Sequence, residues 1–235
     1  MSTTFSIPTW AYYGFLILFC SCAGPDLRSN GAKEVLKPDS TQNFSETEAK
    51  TSIQIQDRTI WQKPYQVIEM LGPLEDKVIA DIGAGSGYFS FRFIYSAQKV
   101  IAVDIEKELI DMMNAEKEFY KPELKEKFEA RLASPDNPRL ARNEVDIVFL
   151  SNTYTYIQNR TSYLNTLIPC LKPGGRIVVV DFKKKITPFG PPMNQRLAQG
   201  DVETELLAAG FKIQVSDDTS LLYQYIIIAE APIKG

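Results

Sequence analysis

The run VIADIGAGSGYFS, residues 78–90, constrains the backbone more than any other stretch of the chain. An apolar run ends in an acid, Asp81, and glycines follow at alternate positions, Gly83, Gly85 and Gly87, before a new apolar pattern begins at Tyr88. This pattern predicts a strand that enters a tight turn and then a helix. Glycine reaches positive φ without penalty and leaves no side chain between the backbone and a ligand.

Apolar strands and amphipathic stretches alternate around this turn. Upstream, Pro64 opens a short helix, PYQVIEML, closed by Gly72 and Pro73. KVIAD is the first strand, KVIAVD the second, ending at Asp104, FEARL the third and VDIVFLS the fourth. RIVVVDF is the fifth, entered through Pro173-Gly174-Gly175. Helices are expected over 88–96, over KELIDMMNAEKEFY up to Pro122, and over 161–171. VETELLAAG is a last helix capped by Gly210, and FKIQVSD and LLYQYIIIA are closing strands around a turn at 218–220. This order predicts an α/β fold: a doubly wound, mostly parallel seven-stranded sheet with a C-terminal antiparallel hairpin. Ligands in such sheets lie beyond the carboxyl ends of the strands, where strand order reverses.

The chain divides at 23 and 56. Residues 7–23 are apolar, yet shorter than the ~20 residues that comfortably span a bilayer. Ser21-Cys22-Ala23 suits a signal peptide cut at a cysteine that is then lipidated. A plain membrane anchor and a buried N-terminal helix are the other readings. Residues 24–56 are polar and lack periodicity, as in a linker. Residues 57–235 form the globular domain.

The chain has no histidine, which removes the commonest general base and metal ligand together. Cys20, Cys22 and Cys170 are too scattered for a zinc site or disulfide framework, so no metal is expected. A net charge of −3 gives no basic field, so no nucleic-acid partner is expected.

A phosphate loop would need Gly-Lys-Ser or Gly-Lys-Thr, and neither occurs. A dinucleotide fingerprint counted from Gly83 would need glycine where Tyr88 stands. What remains, D-x-G-x-G-x-G, resembles the first motif of class I S-adenosylmethionine-dependent methyltransferases. Asp104 lies 21 residues after Gly83 (104 − 83), where a carboxylate can accept hydrogen bonds from both ribose hydroxyls or simply cap the next helix. The segments RTIWQKPYQVIEMLG, NTYTYI, LKPGGRIVVVDFKK, GPP and YQY resemble one bacterial branch of the same family, over residues 57–229.

The resemblance implies that Asp81, Gly83, Gly85 and Gly87 hold the methionine end of S-adenosylmethionine. Asp104 would bind ribose, Ile105 would lie against adenine, and Ser134 would stand where the family places an acid facing the adenine amino group, with Asp136 nearby. Asn152 would line the methyl-transfer channel. Histidines expected a little further on are replaced by Thr155 and Tyr156. Asn152 is also a candidate for the catalytic centre, and if a base is used, Tyr154, Tyr156 and Asp181 are the local candidates, although the tyrosines can equally be packing groups and Asp181 a backbone partner. Lys183-Lys184-Lys185 reads as a solvated turn or as a recruiter of an anionic substrate or lipid headgroup. The implied activity is methyl transfer to a small-molecule acceptor. The rivals are a membrane-tethered binding protein without turnover and a nicotinamide-dependent oxidoreductase. The leader implies a membrane-associated, lipoprotein-like protein tethered through Cys22, whereas a cofactor made in the cytoplasm argues for a cytoplasmic one.

Overall fold

The computed structural model describes residues 58–232, so the expected anchor (1–23) and linker (24–56) lie outside the described residues. A helical turn at 58–62 leads into α1 (Pro64–Met70). Then follow β1 (Val78–Ile82), α2 (Ser90–Phe93), β2 (Lys99–Asp104), α3 (Lys107–Lys117), α4 (Pro122–Lys125) and β3 (Phe128–Leu132). After β4 (Val145–Ser151) and a 3-10 turn at Tyr154–Tyr156 come α5 (Arg160–Leu167), β5 (Leu171–Phe182), α6 (Gln199–Ala208), β6 (Lys212–Asp217) and β7 (Gln224–Glu230).

The seven strands form one sheet in the order β3-β2-β1-β4-β5-β7-β6. The first five run parallel, and β7 is antiparallel to both β5 and β6. This is the doubly wound sheet and closing hairpin that the alternation predicts. The central strands are buried on both faces, which explains their unbroken apolar runs. β6 alternates between exposed and half-buried positions, as an edge strand requires. Val67, Leu71, Phe89, Phe93 and Met113 cover one face; Tyr163, Leu164, Leu167, Val202 and Leu206 cover the other.

Three elements differ from the sequence reading. The helix expected over 88–96 is one regular turn, because i−4 bonds such as Phe91 N–H to Gly87 alternate with i−3 bonds such as Arg92 N–H to Phe89. The helix expected to reach 171 stops at Leu167, where Pro169 forces a 3-10 turn. Pro173-Gly174-Gly175 does not precede β5 but bulges out of it, since Val145 pairs with Leu171 and Ile147 with Arg176. Among the described residues no helix is long and apolar enough to cross a membrane.

Candidate active site

Strand order reverses at β1, whose neighbours β2 and β4 carry chain away in opposite directions. Beyond the carboxyl ends of these strands lies a cavity of about 700 Å³, lined by Gly83 after β1, Asp104 and Ile105 after β2, Ser134 and Asp136 after β3, and Tyr156 after β4.

Gly83 brings the glycine turn to the cavity floor, whereas Gly85, Gly87 and Asp81 are not among the lining residues. Gly83 sits at φ +69, and a Cβ there would lie 2.5 Å from the Thr153 side chain. A side chain at Gly87, φ +81, would meet the Phe91 ring at 2.6 Å. Thr153 therefore presses directly on the turn, from the loop after β4. The sequence reading passed over Thr153, whose signal was only its place inside NTYTYI.

Asp104 ties the turn to β2. Its Oδ2 accepts the Gly85 N–H at 2.8 Å, and its Oδ1 accepts the N–H groups of Ile105 (2.8 Å) and Glu106 (3.1 Å). A carboxylate offers about four lone-pair positions. Three are taken, so in this geometry Asp104 can receive one ribose hydroxyl rather than the two expected. The helix-cap alternative is not met either, because both Oδ1 donors precede the first residue of α3. Ile105 is 53% exposed at the cavity wall, an apolar face without a protein partner in front of it. Ser134 is turned toward its neighbour, donating to Asp136 Oδ1 at 2.8 Å, so the pair stands on the cavity wall as one unit.

Asp81 is buried one step deeper, only 3% exposed, and accepts the Ser90 hydroxyl at 2.6 Å. Burial pushes its pKa up to about 6, against the opposing pull of Ser90 and Arg58. Arg58 enters from the helical turn at 58–62. Its guanidinium lies 3.8 Å from the Tyr88 ring centroid, and Arg92 occupies a like position at 3.8 Å. Arg58 Nε donates to Gln62 Oε1 at 2.6 Å, and its terminal nitrogens have no hydrogen-bond partner among the described residues. A fork-shaped cation near Asp81, with two terminal nitrogens free of described partners, can hold a carboxylate. The sequence offered no cue to this beyond the position of Arg58 in RTIWQKP.

The remaining candidates separate. Asn152 adopts φ 57, and its Oδ1 accepts Gln224 Nε2 at 2.6 Å, so it is pinned to β7 and is not among the cavity-lining residues. Tyr154 is 1% exposed and donates to Glu205 Oε2 at 2.8 Å on α6; burial, then Glu205, raises its pKa. As a base candidate it is corrected to a packing group. Tyr156 lines the cavity and is 59% exposed. Asp181, at the end of β5, accepts the Phe182 N–H (2.9 Å) and Thr155 N–H (3.3 Å), and burial raises its pKa to about 6. Gln62 is fully buried and donates to Ser151 Oγ at 2.9 Å, which fastens the helical turn at 58–62 onto the end of β4. Trp61 Nε1 and Gln224 Oε1 are buried without partners near Phe182, which touches the Trp61 ring at 5.4 Å and pairs with Gln224 across the β5–β7 ladder. No cluster of potential metal ligands occurs among the described residues.

Residues 74–223 match the profile of a family described as a methyltransferase domain. Among curated proteins the chain is 29% identical over 137 residues to the tRNA U34 carboxymethyltransferase of Ruthia magnifica subsp. Calyptogena magnifica. That alignment covers 54% of this chain and 42% of the relative, so the chain spans less than half of the relative's length. Among solved structures, a SAM dependent methyltransferase from Aquifex aeolicus matches with a TM-score of 0.70 at 21% identity, over 79% of this chain and 98% of that one. The [4+2]-cyclase SpnF matches with a TM-score of 0.62 at 14% identity, over 74% of this chain and 82% of that one. At these identities the structural likeness establishes the fold.

Proposed function

Since the chain belongs to the methyltransferase-domain family and is a class I S-adenosylmethionine-dependent methyltransferase, we propose that it methylates a small molecule, with roles as follows. The turn at Gly83–Gly87 gives backbone access to the cofactor. Asp81 holds its ammonium group and Arg58 its carboxylate. Asp104 receives one ribose hydroxyl, Ile105 covers a face of the adenine, and the Ser134–Asp136 pair meets its amino group. The observation that carries this reading is the cavity floor, where a Cβ at Gly83 has no room and Asp104 keeps one open lone pair.

Bound there, S-adenosylmethionine supplies a methyl carbon already activated by a positively charged sulfur. The protein's own task is alignment and exclusion of water. Good alignment lowers a barrier by up to ~7–11 kcal/mol, so a strong base is not required. Where the acceptor must lose a proton, Tyr156 is the candidate on the cavity wall, whereas Asp181 is buried beneath the loop after β4 and accepts the backbone N–H groups of Thr155 and Phe182. Tyr156 closes the cavity from the β4 loop. A net charge of −3 supports a small acceptor over a polyanion such as the tRNA named for the curated relative.

Titration calorimetry with S-adenosylmethionine, S-adenosylhomocysteine and NAD, followed by transfer of labelled methyl into a small-molecule cell extract, tests this reading. Binding of both sulfur nucleosides but not NAD, with label in the low-mass fraction, is expected. Label appearing only in RNA would overturn the acceptor assignment.

A further inference from the structure

Three segments meet at the acceptor side of the sheet: the helical turn at 58–62 with the start of α1, the loop 183–196, and the turn 218–223. An aromatic cluster joins them, with Trp61 against Phe189 (4.9 Å) and Phe189 against Tyr223 (5.0 Å). Lys63 Nζ donates to the Ser220 carbonyl at 3.2 Å, and Lys183 Nζ donates to the carbonyls of Asp218 and Leu221. The hydroxyl of Thr155 donates to the Gln195 carbonyl, which ties the same loop to the segment after β4 whose Thr153 and Tyr156 line the cavity. These joined segments leave large apolar side chains in the open: Ile186 at 90%, Ile60 at 72%, Tyr65 at 69% and Leu222 at 61%. Lys184 and Lys185 stand exposed beside Ile186, and Asp218 is the one exposed carboxylate carried by the two loops. The side chain of Asp217 is occupied by the N–H groups of Thr219 and Ser220.

We propose that this rim is a docking surface for an anionic lipid bilayer, and that the acceptor enters from the lipid phase. Apolar side chains exposed together and flanked by lysines match a surface with negative headgroups above hydrocarbon. A soluble protein partner would satisfy the apolar groups but gives no reason for the adjacent lysine run. The sequence adds a second argument: the apolar stretch 7–23 and the polar stretch 24–56 run into residue 58, which lies on this rim. Docking rests on the methyltransferase reading only for the identity of what enters, since the surface exists whatever the reaction.

The test uses the full chain with vesicles of phosphatidylcholine alone and of phosphatidylcholine mixed with phosphatidylglycerol, read by hydrogen–deuterium exchange and sedimentation. Peptides covering 58–65, 183–193 and 218–223 should exchange several-fold more slowly on the mixed vesicles. The preference for mixed over neutral vesicles should be about tenfold, and Lys184→Glu with Lys185→Glu should abolish it. Ile186→Asp with Leu222→Asp should abolish the protection while S-adenosylmethionine affinity stays as in the parent. Sedimentation with vesicles but unchanged rim exchange, in parent and variants alike, would mean attachment through the N-terminal stretch alone and would overturn the proposal. Rim protection that grows with protein concentration in the absence of vesicles would overturn it in favour of a second copy. Failure of the parent to bind S-adenosylmethionine, with rim protection intact, would instead count against the cofactor assignment.

Discussion

In the proposed function Arg58, whose terminal nitrogens have no partner among the described residues and whose charge lies close to Asp81, receives the cofactor's carboxylate. Arg58→Ala should weaken S-adenosylmethionine binding about tenfold or more, the scale of a lost charge-assisted hydrogen bond. Decarboxylated S-adenosylmethionine should bind parent and variant alike. An equal loss for both ligands in calorimetry would make Arg58 a structural residue only. Gly83→Val should abolish binding, because the new side chain must both leave positive φ and displace Thr153. The sequence made the glycines and Asp104 legible, because turn chemistry and spacing are local. Arg58, Thr153 and Gln224 were not legible, because each acquires its meaning from a partner far along the chain: Asp81, Gly83 and Asn152.

Between elements, the tie that matters most for the cavity wall joins α5, α6 and the 3-10 turn after β4. Glu205 on α6 accepts Arg160 Nε and Nη2 from α5, both at 2.7 Å, and the buried Tyr154 hydroxyl. Glu205→Ala leaves both donors without their acceptor, and a loss of about 2 kcal/mol in urea denaturation is expected. A change within experimental noise would mean that water replaces the carboxylate. The elements themselves were readable from periodicity, and the strands came through almost unchanged. The misread ends at Leu167 and around 172–175 are places where proline and glycine act within a strand or helix rather than outside it. The position of β7 between β5 and β6 was not readable, because a short connection fixes antiparallel pairing but not which strand lies inward.

For the molecule as a whole, buried carboxylates set opposing pH trends. Asp81 and Asp181 titrate near 6 in the folded chain against an ordinary 3.8, so the stability they contribute is complete below pH 3.8 and lost as pH rises to 6. Asp217, whose partial burial is outweighed by bonds from Ser220 and Thr219, is held at about 2, and its contribution is lost as pH falls through that value. Arg131 lowers Glu144 and Arg160 lowers Glu205 in the same direction. Unliganded stability should therefore peak near pH 4 and fall by up to about 6 kcal/mol toward pH 7, since burial raises each of the two carboxylates from 3.8 to about 6. Asp181→Asn should remove part of that fall, and urea midpoints that rise across the window would contradict the assignment. The ligand reverses the trend at Asp81, since an ammonium group favours the ionised carboxylate, so S-adenosylmethionine affinity should drop below about pH 6. All of these expectations depend on the glycine floor and its two acids holding a sulfonium nucleoside. A crystal structure of the chain with S-adenosylhomocysteine tests that most directly. The account predicts the ribose on Asp104, adenine against Ile105, and the amino-acid end between Asp81 and Arg58. The nucleoside bound elsewhere, or with its ribose and ammonium out of reach of both acids, would contradict it.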